Sequence, residues 1–395
     1  MPATLGIIRE TRAGETRVAV LPEQLKNPLA PMKDGPPALA CVVQSGAGER
    51  AFTPDEEYES VGAEVVTDAQ AVIERCDVLV CVNPPESSVV ESMNPGAVLL
   101  GLLQPTSHTE LLRTCAERGV TALAFERLPR ITRAQKADVL SSMSTIAGYR
   151  AVLRGAVLCP KFFPMMMTAA GTITPARVLV LGAGVAGLQA IATARRLGAI
   201  VEAYDIRPAA REQVLSLGAR FVDLGGASDT TETAAGYARA QTPEEQARQR
   251  EALAGRIEGS DVVITTALTP GKPAPTLIDA ATAERMKPGA VIVDLAAEAG
   301  GNCALTTPDE LVDHAGVRID GPTNLPAEMP VHASRMFGQN ALAMLAEFIT
   351  EGAVTVSLDN DMVGPACVAH DGVVLAPEAR EALGLPPLSP QEAAS

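Results

Sequence analysis

An apolar run, Arg177-Val-Leu-Val-Leu181, leads directly into Gly182-Ala-Gly-Val-Ala-Gly187, and a helix-compatible stretch over residues 188–197 follows. No other feature constrains the folding of this chain so strongly. Glycines at this spacing between a strand and a helix form the phosphate loop of a Rossmann unit. Gly182 permits the tight turn, Gly184 lets the backbone approach a pyrophosphate, and Gly187 lets the helix pack close to the sheet. Ala183 and Val185 carry the intervening backbone past the phosphates, and the helix start offers unpaired N–H groups and a partial positive charge. The next strand ends in Asp205-Ile206-Arg207, which puts an acid about 20 residues beyond the glycines. Asp205 can accept hydrogen bonds from both ribose hydroxyls and repels a 2′-phosphate, so the loop and this acid predict NAD(H) rather than NADP(H). Arg207 has two readings at this point, a partner for that phosphate or a surface salt-bridge residue.

Short β-rich runs at residues 5–8, 40–43, 78–82, 98–103 and 122–125 alternate with more polar, helix-compatible segments. The alternation recurs at 178–181, 200–204, 262–265 and 290–294. Such patterning predicts an α/β chain of two Rossmann-like domains with parallel sheets. Residues 133–167 read as a connecting helix as far as the prolines at 160 and 164, and 333–350 as a helix that carries the chain back. The first domain is therefore expected to be discontinuous, 1–140 plus 335–395, around a dinucleotide-binding domain at 141–334. Residues 28–37 and 225–249 read as loops, Met165-Met-Met167 as filler for an interior gap, and residues 386–395 as a frayed end.

At 395 residues the chain exceeds the usual single core. Its formal charge of -15 argues against nucleic acid, which requires clustered Lys and Arg. Seven scattered cysteines without a CxxC pair predict neither a disulfide framework nor a structural metal site. Apolar runs fall short of the roughly 18 residues of a membrane span. The N-terminus enters a strand without signal-peptide features, so a cytoplasmic chain with no membrane span of its own is expected.

A more specific segment is Arg130-Ile-Thr-Arg-Ala-Gln-Lys-Ala-Asp-Val-Leu-Ser-Ser-Met-Ser-Thr-Ile-Ala-Gly-Tyr-Arg150. It closely resembles the NAD(H)-binding component of the proton-translocating NAD(P) transhydrogenase family. The resemblance extends through Phe163-Pro-Met-Met-Met-Thr-Ala-Ala-Gly-Thr172, the glycine loop, Thr265-Thr-Ala-Leu-Thr-Pro-Gly-Lys-Pro-Ala-Pro275 and Asp294-Leu-Ala-Ala-Glu-Ala-Gly-Gly-Asn302. It implies that Arg130, Gln135, Asp138 and Ser141 hold the nicotinamide. It also implies a mobile loop around Gly236 and Tyr237, with further cofactor contacts near Gln249, Ala267 and Leu268. The same resemblance implies a homodimer, an NADP(H)-binding partner subunit, a membrane-spanning subunit that translocates protons, and a peripheral place on the inner face of the cell membrane. On composition alone, residues 130–141 read equally well as a solvated, capped helix start.

Two other classes stand beside this one. Alanine dehydrogenase shares the N-terminal pattern Arg9-Glu-Thr-Arg-Ala-Gly-Glu-Thr-Arg-Val-Ala19, but its oxo-acid site requires a Lys and a His. The matching positions here are Asn83 and Gln104, neither of which supplies a cation or shuttles a proton near neutral pH. Arg17 remains and reads as structural, and His108, His314, His332 and His370 read as surface or satisfied residues. A non-catalytic NAD sensor is the third class. The first half offers only Ser45-Gly-Ala-Gly48, whose strand-to-helix context is poor for a second phosphate loop.

Overall fold

Runs of aliphatic residues with no polar alternation become strands covered on both faces, as parallel sheets require. Every residue of Val78–Cys81, Val98–Gly101, Thr121–Ala124, Val262–Thr265 and Val291–Asp294 is buried. The computed structural model describes residues 2–32, 35–37, 39–224, 242–269 and 273–388. The chain divides into two units, one formed by the chain up to Met143 and from Ala327 onward, the other Ser144–Pro326.

In the first unit the strands are β1 (Ala3–Ile7), β2 (Leu39–Gln44), β3 (Glu64–Val66), β4 (Val78–Cys81), β5 (Val98–Gly101) and β6 (Thr121–Ala124). They run parallel in the order β3-β2-β1-β4-β5-β6, and Cys367–His370 and Val373–Val374 extend the β6 edge in antiparallel fashion. The strand order reverses at β1, so a crevice opens at the carboxyl ends of β1 and β4.

The second unit begins with a hairpin, β7 (Met166–Thr168) and β8 (Gly171–Ile173). Its main strands are β9 (Arg177–Leu181), β10 (Ile200–Tyr204), β11 (Arg220–Phe221), β12 (Val262–Thr265), β13 (Val291–Asp294), β14 (Leu311–His314) and β15 (Val317–Asp320). Their order is β11-β10-β9-β12-β13-β15-β14, parallel except for β14. One face sends Val178, Val180, Val262, Ile264 and Val293 against Ala151 and Ile191, which lie on helices α1 (Val139–Leu158) and α2 (Val185–Arg196). The other sends Leu179, Leu181, Val263 and Ile292 against Leu253 and Ile257 of α3 (Pro243–Glu258). Period-two alternation thus splits one strand between two cores, each buried side chain contributing roughly 1.5–3 kcal/mol. The order reverses at β9, between the phosphate loop and the segment after β12.

Four expectations are corrected. A 3-10 turn, Thr132–Ala137, precedes α1, which starts only at Val139 because the Asp138 carboxylate caps its first turn. Helix α4 (Pro330–Leu345) begins before residue 333, with Pro330 at its first position, and ends before Ile349–Thr350 forms a strand. Residues 242–249, expected as loop, belong to α3 and its cap. Thr242 accepts from the Glu245 amide while the Glu245 side chain returns to the Thr242 amide, a reciprocal capping box. Met165, Met166 and Met167 fill no interior gap. They are 59%, 38% and 79% exposed, beside and within a hairpin whose residues all face solvent. Among the described residues, no helix is long and apolar enough to cross a membrane.

Candidate dinucleotide site

In the second unit, β9 delivers the chain to Gly182, whose φ of +100° lies in the left-handed region that favours glycine. A side chain there would also meet the Thr266 hydroxyl at 2.5 Å. Gly187 is tighter still, since an added Cβ would lie 1.9 Å from the Gly182 carbonyl oxygen. Gly184 is the opposite case, with nothing within 4 Å of an added Cβ. It is the residue that caps α2, with no side-chain cap bonded there, so the start of that helix is open on the side of Gly184, an arrangement that suits a phosphate. Val185 is 41% exposed on the same turn.

Asp205 ties the end of β10 to this loop. Its Oδ2 accepts the Ala183 amide at 2.7 Å, and its Oδ1 accepts the Arg207 amide at 2.8 Å. Arg207 closes a fork on the same carboxylate, Nε to Oδ1 and Nη2 to Oδ2, each at 2.9 Å. Of the two readings of Arg207, the structure shows an ion pair, and its partner is Asp205. Ile206 lies half-buried between the two. Burial and the Asp205 charge push the neighbouring Tyr204 phenol up to about 12, against a hydrogen bond from Gln249. Gln249 is 8% exposed, and among the described residues its Oε1 has no hydrogen-bond partner. An acceptor left unmet among the described residues thus stands near the Asp205 strand end.

Across the crevice, the Thr266 hydroxyl donates to the Gly182 carbonyl at 3.0 Å. Ala267 is half-buried and Leu268 is 43% exposed. Gly236 and Tyr237 lie outside the described residues.

In the first unit, the 3-10 turn Thr132–Ala137 buries Ala134 and Ala137, leaving Gln135 exposed. Asn340 of α4 donates to the Lys136 carbonyl at 2.7 Å and pins the turn. Arg130 is exposed just ahead of it. Asp138 accepts the Ser141 amide at 2.9 Å through Oδ1 and the Ser141 hydroxyl through Oδ2. The pair Asp138 and Ser141 thus shapes the helix start that carries Gln135 before it.

The crevice at β1 and β4 is filled by its own charges. Glu15 chelates Arg17, with Nε to Oε1 at 2.7 Å and Nη2 to Oε2 at 2.6 Å, and both side chains are buried. Asn83 Nδ2 donates to Glu10 Oε2 at 3.0 Å and to Glu15 Oε2 at 2.9 Å. Burial raises the Glu10 carboxyl and the Glu15 charge adds to this, against hydrogen bonds from Val82 and Asn83. Burial alone would raise Glu15 too, but the Arg17 hydrogen bonds and charge, with the Asn83 amide, hold it down at about 2. Because the folded value is depressed, this stabilisation is present above the ordinary value of 4.5 and is lost as pH falls toward about 2. Wild type should exceed Glu15→Gln by about 2 kcal/mol at neutral pH, and the gap should close across that window in urea titrations. A gap independent of pH would contradict the pairing.

Gln104 stands at the end of β5 with a φ of +47°, its amide held at 2.8 Å by Glu126. The second glycine cluster is occupied by a carboxylate, as Asp55 accepts the Ser45 hydroxyl at 2.6 Å and the Gly46 amide at 2.8 Å. An anion is disfavoured there. Sequence reasoning missed Thr266, Asp294 and Asn302 as supports of the site. Their signal was a buried Asp and Asn in a stretch of small residues.

The chain matches two consecutive descriptions of one family, the alanine dehydrogenase/PNT N-terminal domain over residues 6–147 and its C-terminal domain over residues 151–377. It is 43% identical over 381 residues to an NAD(P) transhydrogenase subunit alpha chain of Rhodospirillum rubrum, covering 94% of this chain and 98% of that one. The solved structure of a transhydrogenase from Sinorhizobium meliloti matches with a TM-score of 0.82 at 39% identity, over 94% of this chain and 99% of that chain. Alanine dehydrogenase of Mycobacterium tuberculosis is more distant, 27% identical over 97% of each chain. The chain belongs to the alanine dehydrogenase/PNT family, and within it is more similar to transhydrogenase alpha subunits than to alanine dehydrogenases.

Proposed function

We propose that this chain is the NAD(H)-binding subunit of a proton-translocating transhydrogenase and exchanges hydride with NADP(H) held on a partner subunit. The observation that carries the reading is the open face of Gly184 at the start of α2, with the Asp205 carboxylate bonded to the same loop. The residues fit the cofactor. The 182–187 loop, with Ala183 and Val185, holds the pyrophosphate. Asp205, Ile206 and Arg207 hold the adenosine ribose once Arg207 gives up its fork. Gln249 Oε1 takes a ligand donor, and Ala267 and Leu268 complete the contacts among the described residues. Bound NADH supplies the hydride.

Arg130, Gln135, Asp138 and Ser141 are assigned to the nicotinamide. Passing hydride from one nicotinamide to another moves no proton at the reacting carbons, so these residues act by positioning and by excluding water rather than as acid or base. In the complex, a membrane-spanning subunit couples the exchange to proton movement, and this chain sits peripherally on the cytoplasmic face. Mixed with the NADP(H)-binding subunit of a relative, it should support reduction of an NAD analogue by NADPH. Tight NADH binding without such turnover would favour a sensor.

The alanine dehydrogenase reading is disfavoured because Asn83 occupies the cation position with both amide hydrogens given to Glu10 and Glu15. The isolated chain should not reduce pyruvate and ammonia with NADH.

Asp205 sets the preference between the two cofactors. Asp205→Ala should narrow the NADH over NADPH affinity ratio about tenfold, measured by nucleotide fluorescence, and an unchanged ratio would remove Asp205 from the specificity argument. A homodimer completes the proposal, and the hairpin of the second unit supports it. Met167 and Ile173 on the hairpin are 79% and 40% exposed, and Phe162 and Met165 just before it are 55% and 59% exposed. Met167→Asp should weaken self-association at least about tenfold in sedimentation, and an unaltered dimer would exclude the hairpin.

A further inference from the structure

Asp294 ends β13 with no exposure, and its carboxylate accepts five hydrogen bonds. Thr265 Oγ1 and the Ala296 amide reach Oδ1 at 2.8 and 3.0 Å. Oδ2 takes the Asn302 and Cys303 amides and the Thr306 hydroxyl at 2.7, 3.0 and 2.7 Å. A buried carboxylate met on this many sides fixes the loop that follows it. The loop in turn aims the side chain of Asn302, also with no exposure, at the neighbouring segment. Asn302 Oδ1 accepts the Ala267 amide at 3.0 Å, and Nδ2 donates to the Ala267 carbonyl at 2.8 Å and to the Pro275 carbonyl at 2.8 Å.

One side-chain amide therefore engages both polar groups of residue 267, as a neighbouring strand would. The peptide is held between Asn302 on one side and Thr266, whose hydroxyl is bonded to the Gly182 carbonyl, on the other. Leu268 comes next, 43% exposed. A large exposed apolar side chain rooted in a half-buried peptide whose N–H and C=O are both bonded is held in place for something to pack on it.

We propose that Asn302 is a positioning residue for the dinucleotide, clamping Ala267 so that Leu268 is presented at a fixed place beside the phosphate loop. The role rests on reading the 182–187 loop as the NADH site. A merely structural Asn302 would lower stability without acting through Leu268, and a double-mutant cycle separates the two. NADH affinity is read by nucleotide fluorescence and calorimetry on the full chain, alongside thermal melts. Asn302→Ala should weaken NADH about tenfold and Leu268→Ala about fivefold, while the double variant binds no more weakly than Asn302→Ala alone.

The melting shift caused by Asn302→Ala should be the same in both backgrounds. Multiplying losses of affinity, or an Asn302→Ala variant that binds NADH as wild type does, overturns the proposal. If Asn302→Ala does not fold, Asn302→Ser, which keeps a short hydroxyl, carries the same cycle. Asp205→Ala and Gly187→Val are the controls. If they weaken NADH binding while Asn302→Ala does not, the positioning role alone falls. If they too leave binding unchanged, the reading of the site falls with it.

Discussion

Gly187→Val is expected to cost about a thousandfold in NADH affinity, roughly 4 kcal/mol. The reason is backbone against backbone. An added Cβ at Gly187 would lie 1.9 Å from the Gly182 carbonyl oxygen and 3.2 Å from the Thr266 hydroxyl, and a carbonyl in a tight turn cannot swing aside as a side-chain end can. Relief requires α2 to move off the sheet, which pulls its first amides out of register with the loop. Overpacking strain is typically about 1–3 kcal/mol, and loss of the aligned amides adds to it. Titration of nucleotide fluorescence checks the affinity, and a melt of the same variant shows how much of the loss is unfolding. Near-native affinity in a folded Gly187→Val variant would mean that the phosphates sit elsewhere.

The second large effect concerns rate rather than binding. Gln135→Asn is expected to slow hydride transfer about a hundredfold, since a displacement near 1 Å in a positioning group costs about that much. NADH affinity should change by no more than about threefold, because the phosphate loop and Asp205 are untouched. Gln135 suits such a test because it is exposed on a turn whose own packing comes from Ala134 and Ala137. Shortening it should leave the fold intact. Single-turnover rates with an NADP(H)-binding partner, set against dissociation constants for NADH, separate the two quantities. Equal losses in both would contradict the positioning role.

Much of this fold was legible because the chain writes its strands plainly. Ile200–Tyr204 and Val262–Thr265 coincide with the runs read from hydrophobicity, and Arg177–Leu181 exceeds its run by a single residue. Buried parallel strands must be apolar on both faces, so their signal is continuous and local. The tight glycine turn at residues 182–187 was equally plain, because its glycines answer steric demands within six residues of chain.

What sequence did not disclose is tertiary. Asn302 reaches Ala267 across 35 positions, and nothing local announces the contact. Nor does composition say that the Asn83 amide is spent on Glu10 and Glu15, or that Arg207 turns back on Asp205. Met165, Met166 and Met167 mislead for a related reason. Hydrophobicity states a preference for burial, whereas exposure on a hairpin is decided by where the chain places it. The cap of α3 does have a local signal, since Thr242-Pro-Glu-Glu245 carries the capping-box pattern ahead of a long helix, but the polar residues around it mask the helix as loop.

The central claim is that hydride passes directly from one nicotinamide to another, with this chain holding the NADH. It is tested most directly by isotope. NADH carrying deuterium at the transferring position of C4 would be mixed with this chain, an NADP(H)-binding partner subunit and NADP+, and the NADPH formed examined by mass spectrometry. The predicted result is NADPH that retains the deuterium and takes up no solvent hydrogen at that carbon. NADPH labelled from solvent, or no NADPH while NADH remains tightly bound, would contradict it.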